Sequence, residues 1–371
     1  MKENLKVMVV DDMVTQRHIL TQIISDFNGI ELIGSAPNGK IALAKIAFKP
    51  PDLVLLDMFM PEMDGLETLA QIKSLYPHID VIILSSVDRE MAELTMKALS
   101  AGALDFLLKP TGKTAQDGTR QLRSELSRLI SLAKTRKYSR QIRGNTPAAA
   151  TATAAFTPPP AAPECRPFMK SGRKVSRTEV VVIGVSTGGP NALQELIPKL
   201  SADFPVPILL VQHMPPMFTT SLASRLNQIS DIRVVEANEG DIIEKGVVYI
   251  APGGHHLVVR SVSGQKIAGL SDSPPVHSCR PAADVLFRSV AMAYNGKALA
   301  VVLTGMGSDG TSGVAAIRRK GGYAIVQDAK SSVIWGMPGS VVEAGEADEV
   351  IPLDQMASKI MNIAKEGQSL C

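Results

Sequence analysis

The chain has only three cysteines, Cys165, Cys279 and Cys371, and none belongs to a C-x-x-C pair. Neither a zinc site nor a disulfide framework is suggested, and the odd, widely spaced set suits a reducing compartment. No apolar run approaches the roughly 18 residues a membrane-spanning helix needs. The opening Met-Lys-Glu-Asn-Leu-Lys lacks the long apolar stretch of a secretory signal. These absences predict a cytoplasmic protein with no direct membrane insertion. Charge of one sign is also scarce: 39 Lys and Arg stand against 36 Asp and Glu, a net +3. That gives no general case for a nucleic-acid partner. What is present is apolar side chain, 45% of 371 residues, enough for more than one core and two or three domains.

Residues 144–163 hold one large apolar residue, Phe156, and five prolines. Such a stretch cannot bury enough surface to offset chain entropy and reads as a semi-extended linker. Residues 120–143 carry eight Lys or Arg. Leu122, Leu126, Leu129, Ile130 and Ala133 recur there at helical spacing, predicting that its first half is an amphipathic helix, with a solvated basic face leading into the linker. On either side of the linker, short apolar strands alternate with helical patterns. Before it they are Lys6–Val10, Leu53–Leu56, Val81–Leu84 and Phe106–Leu108. After it they are Val180–Gly184, Ile208–Gln212, Val247–Ala251, Leu257–Val259, Ala298–Leu303 and Tyr323–Gln327. Continuous apolar strands alternating with helices predict α/β modules on parallel sheets, whose strand C-termini share one edge.

In the first module Asp11, Asp12, Asp57, Ser85 and Lys109 each follow a strand and therefore converge on that edge. Crowded carboxylates repel, an all-oxygen divalent cation would relieve them, and a nearby lysine suits a phosphoryl oxygen. A carboxylate so placed can act as a nucleophile and form an acyl phosphate. With V-V-D-D at 9–12, L-L-D-M-F-M-P-E-M-D-G at 55–65, L-S-S at 84–86 and F-L-L-K-P at 106–110, this module resembles the receiver domain of two-component response regulators over about residues 4–125. The resemblance implies a flavodoxin-like, doubly wound parallel sheet with Asp57 as phosphoacceptor. It implies that Asp11, Asp12 and Asp57 hold Mg²⁺, that Lys109 contacts the phosphoryl group, and that Ser85 and Phe106 form the switch pair. The implied phosphodonor is a phosphohistidine on a chemotaxis-type histidine kinase.

In the second module residues 184–188 read G-V-S-T-G, between a strand and a helix. Small neighbours allow a tight turn that presents Ser186 at a helix N-terminus, where backbone N–H groups can hold an oxyanion. A serine needs a base, and the base an orienting acid. His213 ends a strand on the same edge, and Asp309 follows another, with Asp284 and Asp328 as lesser candidates. His255 and His256, in an Ala-Pro-Gly-Gly turn, are expected to face solvent. The order Ser, His, Asp is not the Ser, Asp, His of α/β-hydrolases. The glycine spacing G-x-x-x-G-G is not the G-x-G-x-x-G of nicotinamide enzymes. Nor does a basic recognition helix follow the linker, as a DNA-binding regulator would require.

The segments V-I-G-V-S-T-G-G-P at 182–190, V-Q-H-M-P at 211–215, Y-I-A-P-G-G-H-H at 249–256, R-P-A-A-D-V-L-F at 280–287, L-T-G-M-G-S-D-G at 303–310 and W-G-M-P-G-S-V-V-E-A-G at 335–345 make this module similar to the catalytic domain of chemotaxis protein-glutamate methylesterases, the CheB family. The resemblance implies a three-layer αβα domain with a mostly parallel sheet. It also implies a division into a receiver at 1–125, a helix extension and linker at 126–178, and a methylesterase domain at 179–371. It makes Ser186 the nucleophile, His213 the general base and then acid, and Asp309 the orienting carboxylate. The N–H of Met306 would help form the oxyanion hole, with Thr187 beside it. The implied substrates are γ-glutamyl methyl esters, and glutamines by deamidation, on methyl-accepting chemoreceptors; the esterase step needs no cofactor. Phosphorylation of the receiver would relieve inhibition. At 277–280 the chain reads His-Ser-Cys-Arg, so that Cys279 takes the place of a histidine expected near the site.

Overall fold

Buried β-branched runs form the strands and amphipathic stretches the helices. The computed structural model describes residues 4–109, 115–144 and 177–366, which form two units. Most of the alanine- and proline-rich linker, with Cys165 and Cys371, lies outside them. The N-terminal part of the chain runs β1 (Leu5–Val10), α1 (Val14–Ser25), β2 (Ile30–Ala36), α2 (Gly39–Phe48), β3 (Leu53–Asp57), α3 (Gly65–Leu75), β4 (Asp80–Ser85), α4 (Arg89–Ser100), β5 (Asp105–Leu108) and α5 (Ala115–Gly144), and all of these but α4 fall in the first unit. Its sheet has the order β2-β1-β3-β4-β5, parallel throughout. The reversal at β1 places the C-terminal ends of β1 and β3 side by side at a switch point. Asp64 and Glu67 make a reciprocal capping box at the start of α3, a device that contributes on the order of 1 kcal/mol.

Helix α5 continues past residue 125 as one element. Leu122, Leu126, Leu129, Ile130 and Ala133 pack with Val7, Val9, Leu53, Leu55 and Ile82 in the first core. Part of its basic face is spoken for. Arg136 and Arg140 pair with the buried Asp80, Lys137 with Asp52, and Arg123 with Asp26. These cations tie the helix to the starts of β3 and β4 and to the end of α1.

The second unit runs β6 (Val180–Val185), α6 (Gly189–Leu196), β7 (Ile208–Gln212), α7 (Phe218–Ile229), β8 (Arg233–Glu236), β9 (Val247–Ile250), β10 (His256–Val262), β11 (Gln265–Ser271), α8 (Ala283–Ala293), β12 (Ala298–Val302), α9 (Thr311–Arg319), β13 (Tyr323–Gln327), α10 (Met337–Glu343), β14 (Glu349–Ile351) and α11 (Leu353–Glu366). Its seven-stranded sheet has the order β14-β13-β12-β6-β7-β9-β8, again parallel. The segment around Leu257–Val259 stands apart: β10 and β11 form an antiparallel hairpin. Its Leu257, Val259 and Ala268 share a core with Leu286, Phe287 and Val290 of α8. Central β6 lies between β7 and β12, so the loops after these three strands meet. Among the described residues no helix is long and apolar enough to cross a membrane.

Candidate functional sites

In the first unit, β1 delivers Asp11 and β3 delivers Asp57, and the loop after β5 brings Lys109. Asp11 is fully buried and Asp57 nearly so, whereas Asp12 is exposed. Lys109 Nζ lies 2.8 Å from Asp57 Oδ2 and 3.4 Å from Asp11 Oδ2. Asp57 Oδ1 accepts the N–H of Met58 at 2.8 Å, and Asp11 Oδ1 that of Met13 at 2.9 Å. Asp11 Oδ2 is buried without a hydrogen-bond donor. Burial raises the Asp57 pKa above the usual carboxylate range; Lys109 works against this, and Asp11 adds to it. Ligand atoms of Asp11, Asp12 and Asp57 lie within 4.8 Å of one another. A buried carboxylate oxygen short of a donor, in an all-oxygen set, fits a hard divalent cation. Ser85, fully buried, ends β4 beside β5, which carries the half-buried Phe106.

In the second unit, Ser186 follows β6, His213 follows β7, and Asp309 lies between β12 and α9. Gly188 caps α6 at φ +75°, a left-handed conformation that glycine adopts without penalty. The turn it permits leaves Ser186 7% and Thr187 3% exposed. His213 Nε2 is 2.7 Å from Asp309 Oδ2. Asp309 also accepts the N–H groups of Ala283 at 2.6 Å, Asp284 at 2.9 Å and Gly310 at 3.0 Å. A carboxylate among donors can only accept, so Nε2 carries its proton toward Asp309 and Nδ1 is the nitrogen left for chemistry. Burial favours a neutral Asp309, yet His213 and these N–H groups hold its pKa below the usual range. Burial likewise opposes charge on His213, but Asp309 and the adjacent Cys279 thiol outweigh it and push the pKa up to about 9.

The start of α8 supplies two of these donors. Gly184 permits its close approach, because a Cβ there would stand 2.9 Å from Ala283 Cβ. His256 anchors the same segment. It is fully buried, not solvent-facing: Nδ1 accepts the Ala282 N–H at 3.2 Å, and Nε2 lies 3.2 Å from the Pro274 carbonyl oxygen. Burial of the hairpin strand it begins overrides the polar look of its Gly-Gly turn. His255 does face solvent, paired with Asp272.

The side chains of the lesser acid candidates are engaged with partners other than His213. Asp284 accepts the Gly313 N–H and pairs with His277, at 2.7 and 3.1 Å. Asp328 caps a turn through Ser331. Met306 is 45% exposed and follows Gly305, where a Cβ would lie 2.8 Å from Ser186 Cβ. The structure thus brings His213 and Asp309 into contact. Among the described residues no hydrogen bond joins Ser186 Oγ to His213, a contact that in free hydrolases often closes only with substrate. The backbone donors of α8, and the roles of His256, Gln212 and Thr304, have no signature in the sequence.

Comparison with known proteins agrees with both halves. Residues 7–116 match the family described as response regulator receiver domain, and residues 181–360 match CheB methylesterase. A protein-glutamate methylesterase/protein-glutamine glutaminase of Trichodesmium erythraeum is 44% identical over 96% of this chain and 98% of its own. One of Desulfotalea psychrophila is 41% identical over 98% and 99%. The solved CheB methylesterase catalytic domain of Thermotoga maritima is 44% identical, covering 50% of this chain and 98% of its own, with TM-score 0.49. By its near-full-length likeness to these relatives, the chain belongs to the family of receiver-linked protein-glutamate methylesterase/protein-glutamine glutaminases.

Proposed function

We propose that the chain is a phosphorylation-activated serine esterase that demethylates glutamate methyl esters on chemoreceptors and deamidates receptor glutamines, working in the cytoplasm. The observation that carries this reading is the His213–Asp309 pair, 2.7 Å apart, at the sheet edge where the Ser186 turn opens. Ser186 Oγ attacks the ester carbonyl carbon and passes its proton to His213 Nδ1. The oxyanion is held by N–H groups of the α6 turn and of Met306. Collapse breaks the C–O bond, and His213 gives its proton to the departing methoxide, releasing methanol. Water, deprotonated by His213, then splits the acyl-enzyme to glutamate and free Ser186. With a glutamine substrate the leaving group is ammonia.

In the receiver, the Asp57 carboxylate takes the phosphoryl group from a kinase phosphohistidine, and Lys109 contacts it. Asp11, Asp12 and Asp57 would hold Mg²⁺, which supplies charge neutralisation for the phosphoryl oxygens. The added charge and acceptor oxygens are read by Ser85 and Phe106, and the response is a shift between pre-existing states.

A fluorophosphonate tests the enzyme reading. It should label the full chain at Ser186 alone, as read by peptide mass spectrometry; a chain left unlabelled would favour a binding module. The pH profile tests the base. With a pKa of about 9, His213 holds its proton at neutral pH and loses it as the pH rises. kcat/KM for methanol release should therefore climb between pH 7 and 9 and level off beyond. A profile falling across that window would exclude His213 as base.

A further inference from the structure

The Ser186 turn is held by two buried side chains that the reaction scheme does not use. The Ser186 N–H donates to the Thr304 carbonyl oxygen at 3.0 Å. The Ser186 carbonyl accepts from Gln212 Nε2 at 3.0 Å and from the Gly189 N–H at 2.8 Å. The Thr187 carbonyl accepts from Thr304 Oγ1 at 3.0 Å. Thr304 Oγ1 in turn accepts the Ile334 N–H at 3.0 Å, and its single proton has two acceptors within reach, the Thr187 carbonyl at 3.0 Å and, farther, the Ile334 carbonyl at 3.2 Å. Gln212 Nε2 also reaches the His213 carbonyl, at 3.3 Å, so one amide bridges the segments carrying nucleophile and base. Gln212 and Thr304 are 2% and 1% exposed.

The Gln212 orientation follows from its surroundings. Rotated by half a turn, its oxygen would face two carbonyl oxygens. As it stands, Oε1 is buried without a donor, a cost that native proteins keep for a reason. In a trans peptide the carbonyl and the next N–H point to opposite sides. Drawing the Ser186 carbonyl inward to Gln212 turns the Thr187 N–H outward. Drawing the Thr187 carbonyl inward to Thr304 turns the Gly188 N–H outward. Both N–H groups belong to the turn that joins Ser186 to the start of α6.

We infer that Gln212 and Thr304 are positioning residues that aim the Thr187 and Gly188 N–H groups at the oxyanion formed on Ser186. The inference rests on Ser186 being the nucleophile. Its test uses the full chain with phosphodonor and methylated receptor. Thr304→Val removes the hydroxyl at nearly constant shape, Thr304→Ser keeps it, and Gln212→Met removes the amide donors at similar length. Thr304→Val and Gln212→Met should each lower kcat on the order of 10- to 100-fold and leave KM within about threefold, since a misdirected oxyanion donor acts only in the transition state. Fluorophosphonate labelling of Ser186 should slow in step, because its phosphoryl oxygen needs the same donors. Thr304→Ser should keep kcat within about threefold of wild type.

Wild-type kcat in both Thr304→Val and Gln212→Met would overturn the inference. So would a loss confined to KM, or a Thr304→Ser as impaired as Thr304→Val. Should Thr304→Val fail to fold, Gln212→Met carries the same expectation by itself. Failure of the nucleophile reading is separate: turnover surviving in Ser186→Ala would remove it whatever Thr304→Val does.

Discussion

Ser186→Ala should lose methanol release by about 10⁶-fold in kcat, the size seen when the nucleophile of a serine triad is removed. The protein around it should be unchanged. Ser186 Oγ makes no hydrogen bond among the described residues, and the turn is fixed through backbone groups by Gln212, Thr304 and Gly189. Thermal unfolding should therefore match wild type within about a degree, since no partner is left unsatisfied. The receiver should still accept phosphate on Asp57. Residual turnover near wild type would point to another nucleophile, with Cys279 beside His213 the first to check.

Asp309→Asn should lower kcat by about 10⁴-fold, because an amide presents the wrong partner to the base. The direction follows from the donors around it. The Oδ1 position accepts two N–H groups, from Asp284 and Gly310, while the Oδ2 position accepts one, from Ala283. The amide oxygen will take the Oδ1 position, putting the NH₂ group at Oδ2 against His213 Nε2. Nε2 must then accept, which moves the ring proton to Nδ1 and leaves nothing there to receive the Ser186 proton. The loss should fall on kcat with little change in KM, because Asp309 is buried and acts through His213. The carboxylate that pushes the His213 pKa up to about 9 would also be gone, so any residual activity should show its lower pH limb shifted down. A variant that kept kcat within tenfold, or whose limb stayed near pH 9, would remove Asp309 from the orienting role.

The convergence of both candidate clusters can be read from the sequence because of where their residues stand. Asp11, Asp57, Ser85, Ser186 and His213 each follow a run of buried apolar residues. In a parallel sheet such runs end on one edge, so order along the chain converts to proximity. The strands not foreseen share the opposite property. β2, β8, β11 and β14 are sheet edges whose residues are only partly covered, so no continuous apolar run marks them. His256 looked exposed because its Gly-Gly turn is polar; the hairpin it begins buries it against α8. The donors that hold Asp309 were invisible for a different reason. They are main-chain groups of Ala283, Asp284 and Gly310, and any residue but proline offers an N–H. Gln212 and Thr304 are likewise common residues whose roles appear only when three strand ends meet. The pairing of the basic α5 face with Asp52 and Asp80 depends on a helix lying across strands more than 50 residues away in sequence.

The central claim joins the two halves: phosphate on Asp57 raises the rate at which Ser186 demethylates its substrate. The most direct test is methanol release from methylated chemoreceptor, with and without a small-molecule phosphodonor and Mg²⁺, in wild type and in Asp57→Asn. Release that rises with phosphodonor in wild type, and stays at the basal rate in Asp57→Asn, is the expected result. Release that ignores phosphodonor in wild type, or rises equally in Asp57→Asn, would contradict it.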